Sequence, residues 1–187
     1  MAFVVLYDAC VLYPAPMRDL LIRIARTGLV RAHWSETILD ECFRSILRDR
    51  SDLQPVHLAR TRQMMNQAIP DVLVSGYEEL IAGVQLPDPD DRHVVAAAIR
   101  AGAQVIVTSN LDDFPKPKLE PFGLEAVHPD DFVLDSIDLA PAAICGALQE
   151  QAASLKNPPK TVAEVLDALQ RNGLVQSVAR LRELYGG

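Results

Sequence analysis

The feature that most constrains this chain is its opening run, Phe3-Val4-Val5-Leu6-Tyr7, five apolar, β-prone residues in succession that end at Asp8. A strand with one face in water alternates apolar and polar positions. An unbroken run belongs to a strand buried on both faces, as in a parallel sheet covered by helices. Parallel strands need crossover connections, and the following residues carry them. Pro16 and Gly28 bracket a helix with Leu20, Leu21, Ile24 and Ala25 on one face, and Leu29 to His33 reads as a short strand. Ser35 is placed to cap a helix carrying Ile38, Leu39, Cys42, Phe43, Ile46 and Leu47. A further helix from about Pro55 to Ile69 precedes the short extended piece Val72-Leu73-Val74, and another from about Pro89 to Ala101 stops at Gly102.

The clearest strand is Gln104 to Thr108. Gly123 to Val127 reads as one more before a polar His128-Pro129-Asp130-Asp131 turn. These alternations predict an α/β domain with a mostly parallel sheet. Beyond Asp130 only helical periodicity remains, with helices expected near 141–155, 162–170 and 174–184 and a break at Asn157-Pro158-Pro159-Lys160. A strandless tail of that size fits a helical appendage better than the inside of a sheet.

Composition excludes several classes. With 187 residues, 49% of them hydrophobic and 23% charged, the chain has enough apolar material for a core and is neither disordered nor fibrous. No stretch approaches a membrane span and no signal-peptide pattern opens the chain, so a soluble, cytoplasmic protein is expected. Cys10, Cys42 and Cys145 are odd in number and show no CxxC spacing, which argues for buried thiols rather than a disulfide framework or zinc site. His33, His57, His93 and His128 lack metal-binding spacing, and His93 reads as a polar surface or supporting residue. Tyr7, Trp34 and Phe114 read as packing residues. The net charge of −7 disfavours nucleic-acid binding through the overall field, but Arg44, Arg48, Arg50, Arg60 and Arg62 form a lysine-free cluster. That cluster suits phosphate contact, a protein partner or a solvated helix face.

Ligands of open parallel sheets bind beyond the carboxyl ends of the strands, so residues just after strands carry the functional information. Asp8 follows the first strand, and Thr108-Ser109-Asn110-Leu111-Asp112-Asp113 follows the strongest one. Asp88-Pro89-Asp90-Asp91 opens the helix before that strand, where Asp88 suits an N-cap. Asp91, with Val94, Val95 and Ala98 at helical spacing, faces inward. Within the Ser35–Leu47 helix, Asp40 and Glu41 both border the apolar arc, and phase does not choose between them. Converging carboxylates repel one another unless a cation lies between them. Mg²⁺ or Mn²⁺, hard ions with oxygen ligands, fit that role, and the matching chemistry is phosphodiester hydrolysis.

Four segments, in order, resemble PIN-domain ribonucleases of the kind found as toxins of VapBC toxin–antitoxin pairs. They are Val5 to Leu12, Ser35 to Glu41, the Asp88-Pro-Asp-Asp-Arg-His-Val-Val-Ala-Ala-Ala stretch, and Val107-Thr-Ser-Asn-Leu-Asp-Asp-Phe-Pro. The resemblance covers about residues 3–132, so 1–132 is expected to form the PIN-like domain and 133–187 a helical extension seen in only some relatives. It implies a three-layer α/β/α fold, Mg²⁺- or Mn²⁺-dependent endonucleolytic cleavage of RNA, homodimerisation, and inhibition by a small antitoxin that inserts a helix beside the pocket. The family's acids fall on Asp8, Glu41 and Asp91, which selects Glu41 over Asp40. The fourth position falls on Asn110 or Asp113. Cys10 stands where relatives commonly carry Asn or Thr, removing a polar supporting group.

The site expected from these residues comprises Asp8, Glu41, Asp91 and Asp113, with Asp8 and Asp91 as metal ligands. Asp88, Thr108, Ser109 and Asn110 support it, and Arg44 or Arg48 touches RNA. Among alternatives, a haloacid-dehalogenase-type phosphatase wants a second Asp where Cys10 stands, and a phosphoreceiver wants a Lys after a later strand, yet none precedes Lys116. Dinucleotide binding lacks any GxGxxG. A non-catalytic PIN-like scaffold that only binds a partner is the serious competitor.

Overall fold

The computed structural model describes residues 2–186. The chain runs β1 (Phe3–Tyr7), α1 (Ala9–Leu12), α2 (Ala15–Arg26), β2 (Val30–Ser35), α3 (Glu36–Asp49), α4 (Pro55–Ala68), β3 (Leu73–Val74), α5 (Arg92–Ala101), β4 (Val105–Val107), α6 (Lys116–Leu119) and β5 (Glu125–Val127). It then continues through α7 (Pro129–Leu139), α8 (Pro141–Ser154), α9 (Val162–Arg171) and α10 (Val175–Gly186). The strands form one sheet in the order β3-β2-β1-β4-β5, and every pairing is parallel.

The opening run is the central strand. Val5 pairs with Ala32 on one side and Val105 on the other, and Val5, Leu6 and Tyr7 are wholly buried. From β1 the chain steps outward through β2 to β3, then returns past β1 to β4 and β5. Right-handed crossovers put the helices of the outward leg on one face and α5, on the return leg, on the other, which gives three layers. The reversal also opens a crevice between the carboxyl ends of β1 and β4, the usual ligand position in such sheets.

Tyr7 ties the sheet to the tail. Its ring lies 6.4 Å from Trp34 and 6.0 Å, edge-on, from Phe132 of α7, while its hydroxyl donates to the Leu21 carbonyl of α2. Trp34 is buried with its indole N–H on Asn66 Oδ1, and Phe114 is buried too, so all three aromatics are packing residues. One cluster of buried side chains extends from β1 to Leu181 of α10.

Two local expectations need correction. The His128-Pro129-Asp130-Asp131 stretch is not a separate turn but the start of α7. His128 Nδ1 accepts the Asp130 amide, Pro129 occupies the first helical turn, and two acids face the positive end of the helix. Residues 129–139 therefore form one helix. Residues 89–91 form a 3-10 turn, with the α-helix beginning only at Arg92. The arginine cluster is largely paired within the chain. Arg62 of α4 bonds Glu36 and Asp40 of α3, Arg48 bonds Asp49, and Arg50 bonds Asp52. No helix among the described residues is long and apolar enough to cross a membrane.

Candidate active site

Asp8 is the first residue after β1 and the N-cap of α1. Its Oδ1 accepts the Ala9 amide at 2.7 Å, and its Oδ2 accepts the Thr108 hydroxyl at 2.8 Å and the Cys10 thiol at 3.3 Å. Thr108 is itself buried at the end of β4 and accepts the Asn110 amide at 3.1 Å. The carboxylate is thus fixed from both sides of the crevice. Burial nonetheless pushes its pKa above the ordinary range. The Thr108, Cys10 and Ala9 hydrogen bonds oppose that rise, and the nearby Glu41 charge adds to it.

Asp91 ends the 3-10 turn and begins α5, half-buried. Its pKa is raised to about 6, first by burial and then by the charges of Asp8, Asp113, Asp88 and Glu41. Glu41, on α3, accepts a hydrogen bond at 2.8 Å from Nε2 of His93, a buried residue two positions after Asp91. Because a carboxylate only accepts, that bond places a proton on Nε2, while Nδ1 is buried and without a partner among the described residues.

These groups surround a cavity of about 410 Å³ lined by Asp8, Cys10, Glu41, Asp91 and Asn110, with Tyr13, Ser45, Arg48 and Asp49 on the α1–α3 side. Four carboxylates from three elements line it, Asp8, Asp91, and Glu41 and Asp49 of α3, against one cation on the lining, Arg48, which is paired with Asp49. Asp113 does not line the cavity but stands close enough to raise Asp91. Asp88 is exposed and caps the 3-10 turn through the Asp90 amide, and Ser109 is exposed with its amide on the Cys10 sulfur. Arg44 is exposed and off the cavity lining.

Cys10 does not remove a supporting group, as its sequence position suggested. Its thiol touches Asp8, Thr108 and the Ser109 amide, and burial followed by the Asp8 charge pushes its pKa up to about 12, keeping it protonated as a donor. The Glu41–His93 bond and the Tyr13–Asp49 bond of 2.9 Å were not anticipated. A signal for part of this wall was present: Ser45 and Asp49 follow Glu41 at i+4 and i+8 and so share its helix face.

Among the described residues no three His, Cys, Asp or Glu side chains are gathered closely enough to hold a metal ion. The donor chemistry fits one all the same. The anions are oxygen donors only, and burial first, then neighbouring carboxylates, raise the pKa of both Asp8 and Asp91, so a cation between them would relieve a cost the cleft imposes on their charged forms.

A three-layer domain with an all-parallel sheet and acids at its switch point has the form of a PIN domain. The chain belongs to that family: residues 4–112 match the family described as PIN domain, and residues 129–183 match one described as VapC50 C-terminal domain. A curated protein of Mycobacterium tuberculosis, "Putative ribonuclease VapC50", is 42% identical over 110 residues, covering 59% of this chain and 64% of that protein, so the likeness spans less than two thirds of the relative. No solved structure matches.

Proposed function

We propose that this protein is a metal-dependent endoribonuclease, the toxin of a type II toxin–antitoxin pair, acting in the cytoplasm as a homodimer restrained by a small antitoxin. In this reading residues 1–132 carry the nuclease and 133–187 are its helical extension. The single observation that carries the reading is the convergence of Asp8, Glu41 and Asp91 on one cavity at the sheet's switch point. The description of the mycobacterial relative as a ribonuclease supports it.

Asp8 and Asp91 would hold Mg²⁺ or Mn²⁺, with Glu41 and Asp113 completing or supporting the set. The ion would lower the pKa of attacking water and offset charge on the scissile phosphate. The chain's own groups set the geometry. Thr108, Cys10 and the Ala9 amide hold Asp8 in one orientation, and His93 holds Glu41. Asn110, on the lining, presents an amide to water or phosphate, and Arg48, exposed at the rim, is the cation nearest an incoming RNA backbone. Arg44 would extend that contact along the same helix.

Incubating labelled single-stranded RNA with purified protein in Mn²⁺ or in chelator tests the reading. Cleavage should require the ion and should fall at least about a hundredfold in Asp8→Asn, beyond the loss usual for groups that merely support a ligand. Metal-independent cleavage that survives this substitution overturns the proposal. Binding of a partner with no cleavage under any metal would favour a scaffold instead.

A further inference from the structure

A second cavity, of about 520 Å³, lies where α2 and α4 of the sheet domain meet α8 and α9 of the tail. Ile22, Met64, Met65, Ala68, Leu155 and Val165 give it an apolar body. Of the charged residues on its lining, Arg18, Arg23, Arg26 and Lys160 are cations and Asp19 is the one acid, a local balance of +3 in a chain of net charge −7. Two of these cations are engaged. Arg18 donates to the Leu12 and Tyr13 carbonyls, and Arg23 to Asp19 and Glu150. Arg26 and Lys160 are exposed and have no ion-pair partner among the described residues.

Gln151 lines the same cavity and is 1% exposed. Its Nε2 donates to the Pro16 carbonyl at 2.9 Å, while its Oε1 finds no donor among the described residues. Buried acceptors left unpaired are rare in folded proteins and call for a partner. An apolar cleft of roughly 300–1,000 Å³ with a few polar anchors is the usual form of a small-molecule site.

We infer that this cavity binds a small amphipathic carboxylate that carries an N–H donor. The apolar body lies among the methionines, whose flexible thioethers adapt to aromatic rings. The N–H group donates to Gln151 Oε1, and the carboxylate is met by Arg26 and Lys160. This site is separate from the acidic cleft and does not rest on the nuclease reading. Its walls come from both sheet domain and tail, so occupancy would fasten one to the other.

Three probes test it on the full chain by calorimetric titration and thermal unfolding: indole-3-acetate, naphthalene-1-acetate, which lacks the N–H, and indole-3-ethanol, which lacks the carboxylate. Indole-3-acetate at millimolar concentration should raise the melting temperature, and each of the others should bind about tenfold more weakly, the factor expected for one lost hydrogen bond or charge contact. Arg26→Glu with Lys160→Glu should weaken indole-3-acetate at least about tenfold without moving the unliganded melting temperature, because both side chains are exposed. Gln151→Leu should erase the preference for the indole over the naphthalene. Where that variant does not fold, the two probes on the parent protein still carry the comparison. Equal binding of all three probes, or no heat and no stabilisation by indole-3-acetate, overturns the inference. So does a change of sedimentation in the double variant, which would assign the cavity to a second copy of the chain.

Discussion

Asp8 at the end of β1 and Asp130 in the first turn of α7 are almost equally hidden, at 5% and 4% exposure, yet their pKa values move in opposite directions. For both, burial pushes upward. At Asp130 the amides of Ser177 and Gln176, each 2.9 Å away, together with nearby His128, outweigh burial and hold the carboxyl below the usual range. Those amides are orphan donors at the start of α10, so Asp130 completes a helix end and fastens α7 to α10. Asp8 has three donors of its own, but burial, with a smaller push from the Glu41 charge, outweighs them and its pKa stays raised. Burial therefore does not separate a structural acid from a functional one. The separation lies in whether the fold's own donors outweigh the cost of burying the charge.

That contrast predicts opposite responses to losing a carboxylate, and the largest lies in the cleft. Asp91→Asn should reduce RNA cleavage at least about a hundredfold while leaving the metal-free melting temperature unchanged or higher, since the cost of a half-buried charge, and its repulsion from Asp8, Asp113, Asp88 and Glu41, is relieved. A marked fall in stability with cleavage intact would make Asp91 another Asp130. Asp130→Ala should do the reverse. It strands the Gln176 and Ser177 amides and should cost about 2–3 kcal/mol, or roughly 5–10 °C in melting temperature for a chain of this size, with cleavage per folded molecule preserved.

The two aspartates should also diverge with pH. Asp91 has its folded pKa raised from 3.8 to about 6, so the stability linked to it is full below 3.8 and is lost as pH rises through about 6. Acidifying the metal-free protein from neutral pH should therefore narrow the gap in melting temperature between it and Asp91→Asn. Asp130, with its pKa lowered, contributes stability above 3.8 that is lost only as pH falls through its lower folded value. The gap between the parent and Asp130→Asn should hold steady down to about pH 4 and close below it. Melting curves of the three proteins across that range check both slopes.

What could be read from the sequence follows the same division. Asp8 and Thr108 are legible because strand ends are legible: an apolar run stops and a polar residue follows. The position of Asp91 follows from helical phase, and the sheet class from the unbroken first strand. Glu41 is different. Phase leaves it level with Asp40, and the structure separates them through partners distant in sequence, with Glu41 on His93 and Asp40 on Arg62. The Asp130 lock spans 46 and 47 residues and has no local signature, so the start of α7 reads as a turn. Elements declare themselves over a few residues, whereas side-chain partners depend on how elements pack.

The smallest expected effects concern the arginines, which looked alike in sequence and are set apart by the structure. Arg62 bonds Glu36 and Asp40 away from the cleft lining, on a flank where the acids are more than half exposed. Water already solvates such pairs, so Arg62→Ala should shift stability by no more than about 1 kcal/mol and leave cleavage unchanged. Arg48, 72% exposed but on the lining, makes an ion pair equally weak for folding, yet it is the cation an approaching phosphate meets first. Arg48→Ala should therefore leave melting unchanged and raise the KM for RNA several-fold, with a shallower dependence on salt because one phosphate contact is lost. Equal kinetic effects from the two substitutions would mean that RNA reads the charge of the whole flank, and that cleft proximity does not distinguish one arginine from another.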